Sequence, residues 1–324
     1  MERPIDFSRD RYMLCGGCGL RFLVDLDWID RWEQGQEKCP GCRMTCEHED
    51  APRVTVDPAD LALDDSVTRL FWYHTSTQPD WPTKDFDPAA GLTAETRRLM
   101  GGDRRVAAWA ESQRAKALHV GTYEAAIHNM LRRIDDQADR GSQFYLYRVH
   151  LEPTTAVRDG WIVDPSDFAG DVMLHDVCPP GINAARYLNY HEDPGGITLA
   201  LGRDAIASVQ RVAVPAPDAC DIGWVHAAGI ALCDATEEVP PPADSFSRLR
   251  RFQPSPQALV GGKLAEDLAA RLPINLQRQF TSATGFGDGA DPAQWARRTS
   301  GLIAAIENPM HMLALLDGQE CRQL

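Results

Sequence analysis

Two Cys-x-x-Cys pairs constrain this chain more than anything else in it: Cys15-Gly16-Gly17-Cys18 and Cys39-Pro40-Gly41-Cys42, separated by twenty residues. That is the two-knuckle spacing of a zinc ribbon. Each knuckle has to turn back so that two thiolates and the following backbone amides converge on one ion, and Gly or Pro-Gly permits the tight conformations this needs. Four thiolates close a tetrahedron and leave no position for water, so the expected Zn2+ is structural. Cys46 and His48 lie close behind and are the alternative ligands, although either would break the paired symmetry. Nine cysteines, an odd number and clustered, argue for a metal in a reducing compartment over a disulfide framework.

At 324 residues, 44% of them hydrophobic, the chain has room for two or three modules with cores of their own. Its 33 basic residues against 47 acidic give a net charge of −14, so counterion release cannot drive tight non-specific binding to nucleic acid. Residues 1–50 hold seven Lys or Arg against eleven Asp or Glu, a net of −4, the wrong sign for phosphate-led binding; a protein-facing or purely stabilising ribbon is expected. Apolar runs such as 301–306 break well short of the roughly 20 residues of a membrane span, and Met1-Glu2-Arg3-Pro4 leads into polar sequence. The expected setting is cytoplasmic, with no membrane partner.

Composition divides the rest. Residues 51–66 are acidic, Pro-punctuated and without period, as a linker or wrapping segment is. Residues 67–235 mix short apolar runs with helical stretches. Strands are expected at 69–74, 144–151, 161–163, 197–201 and 208–214, helices at 93–117 on both sides of Gly101-Gly102 and at 122–134, where Ala126, Ile127, Met130, Leu131 and Ile134 share one face. Strand-rich with no regular βαβ alternation, this is an α+β domain. Residues 236–258, with Pro240-Pro241-Pro242 and Pro254-Ser255-Pro256, are expected as a stiff connector. Residues 259–324 are expected as a helical C-terminal appendage, with Asp291-Pro292 opening a helix.

Three constellations carry chemistry in the middle domain. The aromatic run Phe71-Trp72-Tyr73 ends in His74-Thr75-Ser76; His119-Val120-Gly121-Thr122-Tyr123 leads into an Ala-rich helix; Asn189-Tyr190-His191-Glu192-Asp193-Pro194 is an acidic turn before a strand. Singly each has a plain explanation: a structural histidine, an N-cap at Thr122, an ordinary turn.

In their order they resemble the ADP-ribosyltransferase superfamily of His-Tyr-Glu type. The resemblance covers roughly residues 70–214 and implies a split, curved β-sheet that binds NAD+ as substrate. It assigns catalysis to Glu192, His74 and Tyr123 and NAD contacts to His74, Thr75, Ser76, His119, Gly121, Thr122, Tyr123 and Asn189. His119 competes with His74 for the histidine role, and Tyr145, Tyr147 and Tyr187 stand beside Tyr123 for the nicotinamide clamp. The activity so implied is transfer of ADP-ribose to a protein or nucleic-acid acceptor with release of nicotinamide, as toxins and effectors perform it.

Physical chemistry points the same way. Cleavage of the nicotinamide–ribose bond passes through an oxocarbenium-like state, which needs a positioned anion and little covalent help. A glutamate, a histidine with hydroxyls and an aromatic face supply those needs. No G-x-G-x-x-G or Walker loop supports hydride or phosphoryl transfer. Three alternatives remain: NAD hydrolysis at the same site, a histidine-dependent nuclease using His74, His119 and His191 with Arg132, Arg133, Arg148 and Arg186, and a zinc-ribbon scaffold without catalysis.

Overall fold

A computed structural model describes residues 1–83, 85–136, 141–166, 171–235, 254–287 and 289–324. Strands Arg11–Leu14 (β1), Arg21–Val24 (β2) and Arg53–Thr55 (β3) form an antiparallel sheet in the order β2-β1-β3. Asp25 caps the helix Leu26–Glu33 (α1) by accepting from the Trp28 amide, and Leu26, Ile29 and Trp32 on one face of α1 bury with Met13 and Val24. β3 falls inside the stretch 51–66 read from sequence as a linker. A three-residue strand carries too little alternation to be seen, and it is fixed by its partner β1, not by its own pattern.

Residues 1–10, expected within the ribbon, attach to the middle of the molecule instead. The Met1 ammonium donates to the Arg69 carbonyl at 2.5 Å, and Phe7 packs edge-on against Tyr123.

The middle of the chain is α+β, as its composition indicates. Trp72–Ser76 (β4) is followed by Ala94–Leu99 (α2) and Asp103–Ala115 (α3), split at Gly101 and Gly102, whose φ values of 94° and 89° leave the helical region. Leu118–Val120 (β5) enters Tyr123–Asp136 (α4), where the Thr122 hydroxyl accepts from the Ala125 amide as the expected cap. Next come Phe144–Leu151 (β6), Ile162–Val163 (β7), Leu174–Val177 (α5), Ala184–Leu188 (β8), Ile197–Leu201 (β9) and Ile206–Val214 (β10).

One four-stranded sheet runs β5-β9-β8-β7, antiparallel except for the β7–β8 pair. The other contains β10-β6-β4, all antiparallel. The two meet where Tyr73 of β4 and Gly121 exchange backbone hydrogen bonds at 2.9 Å each way. Trp72, Tyr147, Val149, Ile197, Leu199 and Leu201 fill the space between them.

The outer face of the second sheet is covered by α4 and by helices of the C-terminal region. Ile222–Asp234 (α6) comes before residues 236–253; the expected connector therefore lies mostly outside the described residues. Pro254-Ser255-Pro256 reads as its extended end, but the Ser255 hydroxyl caps Pro256–Ala269 (α7), with Pro256 at the first helical position. Ile274–Ala283 (α8), Pro292–Glu307 (α9) and Pro309–Asp317 (α10) follow, α9 capped by Asp291 as expected. Leu272, Phe280, Leu302, Ile306 and Leu316 share a core with Ile127, Met130 and Leu146, so these helices pack on the middle domain and complete its core. Arg322–Gln323 (β11) then pairs with Ser208 and Val209 of β10, adding a fourth strand to that sheet. Among the described residues no helix is long and apolar enough to cross a membrane.

Candidate functional site

Cys15, Cys18, Cys39 and Cys42 converge so that their four sulfurs lie within 4.8 Å of one another. Cys15 stands 3.7 Å from Cys42 and Cys18 3.7 Å from Cys39. Thiolates at about 2.3 Å from a tetrahedral ion are separated by about 3.8 Å, so the set fits one metal ion. Gly19 and Arg43 donate their amides to the Cys15 and Cys39 carbonyls, both at 2.9 Å, and both take positive φ, 71° and 65°. The left-handed residue is thus the one after each pair, not the glycines inside it. Gly41 answers a different need: a Cβ there would stand 3.1 Å from the Cys18 sulfur. Burial pushes the Cys39 thiol up, but amides of Cys42 and Gly41 outweigh it and bring the group to about 7. Cys46 packs in the ribbon core near Trp32 and Met13, and neither it nor His48 joins the cluster.

A cavity of about 760 Å³ opens between the two sheets and α4. His74, Thr75, His119, Gly121, Asn189 and Glu192, six residues picked out by sequence, all line it. Strand pairing explains the convergence. Thr198 and Tyr187 are directly paired across β9 and β8, and His119 pairs with Ala200 two residues on, so the three share the face opposite the core side chains Leu199 and Val120.

His74 is locked in place. Its ring stacks on Trp81 at 3.9 Å and 16°, and its Nδ1 lies 2.9 Å from the His119 carbonyl. A carbonyl only accepts, so Nδ1 carries the hydrogen and Nε2 is left as an acceptor. Enclosure pushes the imidazole down to about 3, so it is neutral near pH 7. His119 is also held neutral by burial; its Nδ1 lies 2.8 Å from the Tyr187 hydroxyl, and its buried Nε2 has no hydrogen-bond partner among the described residues.

Glu192, in the turn between β8 and β9, lies against the side of α4. Its carboxylate accepts from Arg132 at 2.7 Å and from Asn129 at 3.3 Å, while its carbonyl lies 2.7 Å from His128 Nδ1. Asn189 shapes the turn: its Oδ1 accepts the amides of His191, Glu192 and Asp193 at 3.0, 2.9 and 3.2 Å, and its Nδ2 donates to Thr198 at 3.2 Å. Asn189 thus aims Glu192 through its amide oxygen, while its Nδ2 has a second N–H beyond the one given to Thr198, and the residue lines the cavity.

Other expected residues are placed elsewhere. Tyr123 is 1% exposed, packed edge-on against Tyr73 and hydrogen-bonded through its hydroxyl to the Ala305 carbonyl at 2.7 Å; it points into the core away from the cavity. As the first residue of α4 it lies on the same stripe as Ile127, Met130 and Ile134, which buries. Tyr187 lines the cavity in its stead. The Ser76 hydroxyl accepts from Gln78 and the residue does not line the cavity; the Thr122 hydroxyl, besides capping α4, donates to Asp193 at 2.8 Å. The Thr75 hydroxyl is tied to the Ala126 carbonyl at 2.9 Å. Gly121 is required by close approach, since a Cβ there would meet Ala125 at 2.9 Å and Thr198 at 3.2 Å.

Of the four arginines a nuclease would draw on, Arg132 and Arg133 line the cavity. Arg148 bonds Gln210 and Asp317, and Arg186 bonds the carbonyls of Ala62, Asp64 and Arg158. Sequence reasoning missed the polar face of α4 made by His128, Asn129 and Arg132, which the i, i+4 spacing of His128 and Arg132 displays.

The neutral histidines set a pH dependence. A folded value near 3 for His74 against an unfolded value of about 6.5 means the unfolded chain binds this proton first as pH falls. Stability is therefore expected to fall on acidification between about pH 6.5 and 3, with His74 supplying up to about 1.4 kcal/mol per pH unit. Urea unfolding of parent and His74→Gln protein checks this: the variant should show the shallower dependence, and identical slopes would refute it.

Comparison with known proteins gives no match to a family model, to a curated protein or to a solved structure.

Proposed function

We propose that the chain is an NAD-dependent ADP-ribosyltransferase that releases nicotinamide and carries ADP-ribose to a macromolecular acceptor, with a split-sheet catalytic domain resembling that superfamily. The observation that carries the reading is the meeting of His74 and Glu192, far apart in sequence, on one cavity together with His119 and Tyr187. On this reading the Nε2 of His74 accepts a hydrogen bond from a ribose hydroxyl of NAD+. The Glu192 carboxylate faces the ribose carbon, where positive charge develops as the bond to nicotinamide breaks. The departing nitrogen takes the bonding electron pair and leaves as neutral nicotinamide, the acceptor oxygen or nitrogen forms the new bond to the ribose carbon, and the acceptor's proton is released to water. Tyr187 offers the aromatic surface for nicotinamide in place of Tyr123.

The metal of the four-cysteine cluster is on this reading one structural Zn2+ per chain. It supplies no catalytic position, because all four ligands come from protein. Its part is to fold the ribbon.

Incubation of the full chain with NAD+ carrying a label on the adenosine side, with candidate protein, DNA and RNA acceptors, tests the proposal. Release of nicotinamide together with label on an acceptor is the expected result. Release with free ADP-ribose alone would assign hydrolysis instead, and tight binding of a partner with no turnover of NAD+ would leave a scaffold.

A further inference from the structure

The ribbon and the cavity are joined by buried contacts that neither a structural zinc site nor an NAD site requires. Asp193, next to Glu192 in the turn, is 1% exposed and accepts from Arg9 at 2.5 Å, from Arg11 at 3.2 Å and from Thr122 at 2.8 Å. Arg11 opens β1, and Cys15 directly follows its end, so one four-residue strand links a thiolate to the guanidinium holding the turn. β3, paired to β1, presses on the same turn. A Cβ on Gly195, which has φ of 85°, would meet the Thr55 carbonyl at 3.1 Å and Val54 at 3.2 Å. The turn closes on itself as well, through Gly195 to the Asn189 carbonyl at 3.0 Å and Gly196 to the Asp193 carbonyl at 2.8 Å.

We infer that the ribbon positions the cavity wall, with Arg11 and Asp193 as positioning residues: the metal-closed knuckles fix β1 and β3, these fix Asp193 and Gly195, and the turn to which both belong presents Glu192, the residue before Asp193. Short strands carry this linkage. β1 has only β2 and β3 as sheet neighbours, and the small core behind it depends on the knuckles for closure, so loss of metal releases both strands together. Asp193 then loses Arg11, one of the two guanidinium groups that offset its burial, and is held by Arg9, which precedes β1, and by Thr122, so the turn loosens while its carboxylate stays partly paired. The meaning of this for catalysis rests on the transferase reading. The mechanical link does not.

Hydrogen exchange on the full chain, with zinc and after chelation, reads the link without any assay of NAD+. Amides of residues 189–196 should exchange about tenfold faster or more after chelation, with β6 and β10 unchanged. Zinc-loaded Arg11→Met protein should reproduce the effect, and Arg11→Lys, which keeps the charge, should restore much of the protection. In nicotinamide release, chelation should lower kcat with KM for NAD+ within about twofold, the mark of a displaced carboxylate in an otherwise intact binding cleft. Unchanged protection of the turn after chelation would overturn the inference, as would exchange rising in step in β6 and β10, which would make zinc a global stabiliser only. Should the loaded chain release no nicotinamide, the transferase proposal falls and the exchange result still decides the link.

Discussion

Glu192→Gln protein is expected to bind NAD+ nearly as the parent does and to release nicotinamide roughly a hundredfold more slowly or worse. The substitution removes charge while leaving shape. Glutamine keeps an oxygen to accept from Arg132 and Asn129, and the turn is shaped by the side chain of Asn189 acting on backbone amides, which the change does not touch. Arg132 is 43% exposed, so water can solvate the guanidinium that loses its ion partner. The stability change should therefore stay within about 1 kcal/mol. An anion that matters only where positive charge develops in the transition state affects turnover and not ground-state binding. Release at the parental rate would remove Glu192 from the mechanism. Joint loss of NAD+ binding and of folding would show it to be structural.

How much of this was legible beforehand depends on whether a residue's fate was decided locally. β6 and β9 fall on the expected residues 144–151 and 197–201, because apolar runs bounded by Pro153 on one side and Gly202 on the other settle their own extent. α4 and the Asp291 cap were readable for the same reason. β8, Ala-Ala-Arg-Tyr-Leu, was missed since it is buried on both faces and shows no alternation, and its Arg186 looks like a surface charge until three backbone carbonyls from distant segments enclose it. The site divides in the same way. Glu192 stands in a turn, where the sequence marks it out; His74 and His119 stand inside short strands, β4 running on to Ser76 past the end expected at His74. The orientation of Tyr123 was set by which face of α4 met the C-terminal helices, and the pairing of Arg9 and Arg11 with Asp193 spans more than 180 residues. Counting charge over residues 1–50 treats all seven basic residues as solvated, though Arg11 is buried and Arg3 and Arg9 are half-buried against the middle of the molecule.

Cys39→Ser protein is expected to bind substantially less than one zinc per chain and to expose residues 11–55 to protease, while Cys46→Ser protein keeps both metal and resistance. Cys39 is buried and ligand-placed, 3.7 Å from Cys18, whereas Cys46 is a packing residue outside the cluster. The hydrophobic cluster behind the ribbon sheet is small: Met13, Val24, Leu26, Ile29, Trp32 and Ala51 are its buried members. A core of that size does not offset the chain entropy of some fifty ordered residues, at about 1 to 2 kcal/mol each for the backbone, without a metal to close it. Binding of a structural zinc supplies an apparent 10 to 16 kcal/mol in small finger peptides, so loss of one of four thiolates should be felt as local unfolding and not as a small loss of stability. Serine is nearly isosteric with cysteine but remains a neutral hydroxyl at pH 7, so the loss isolates ligation from packing. Elemental analysis and limited proteolysis of the two variants decide the matter: a Cys39→Ser chain with full zinc and parental resistance, or a Cys46→Ser chain that loses its metal, would show that the four sulfurs do not form the binding site.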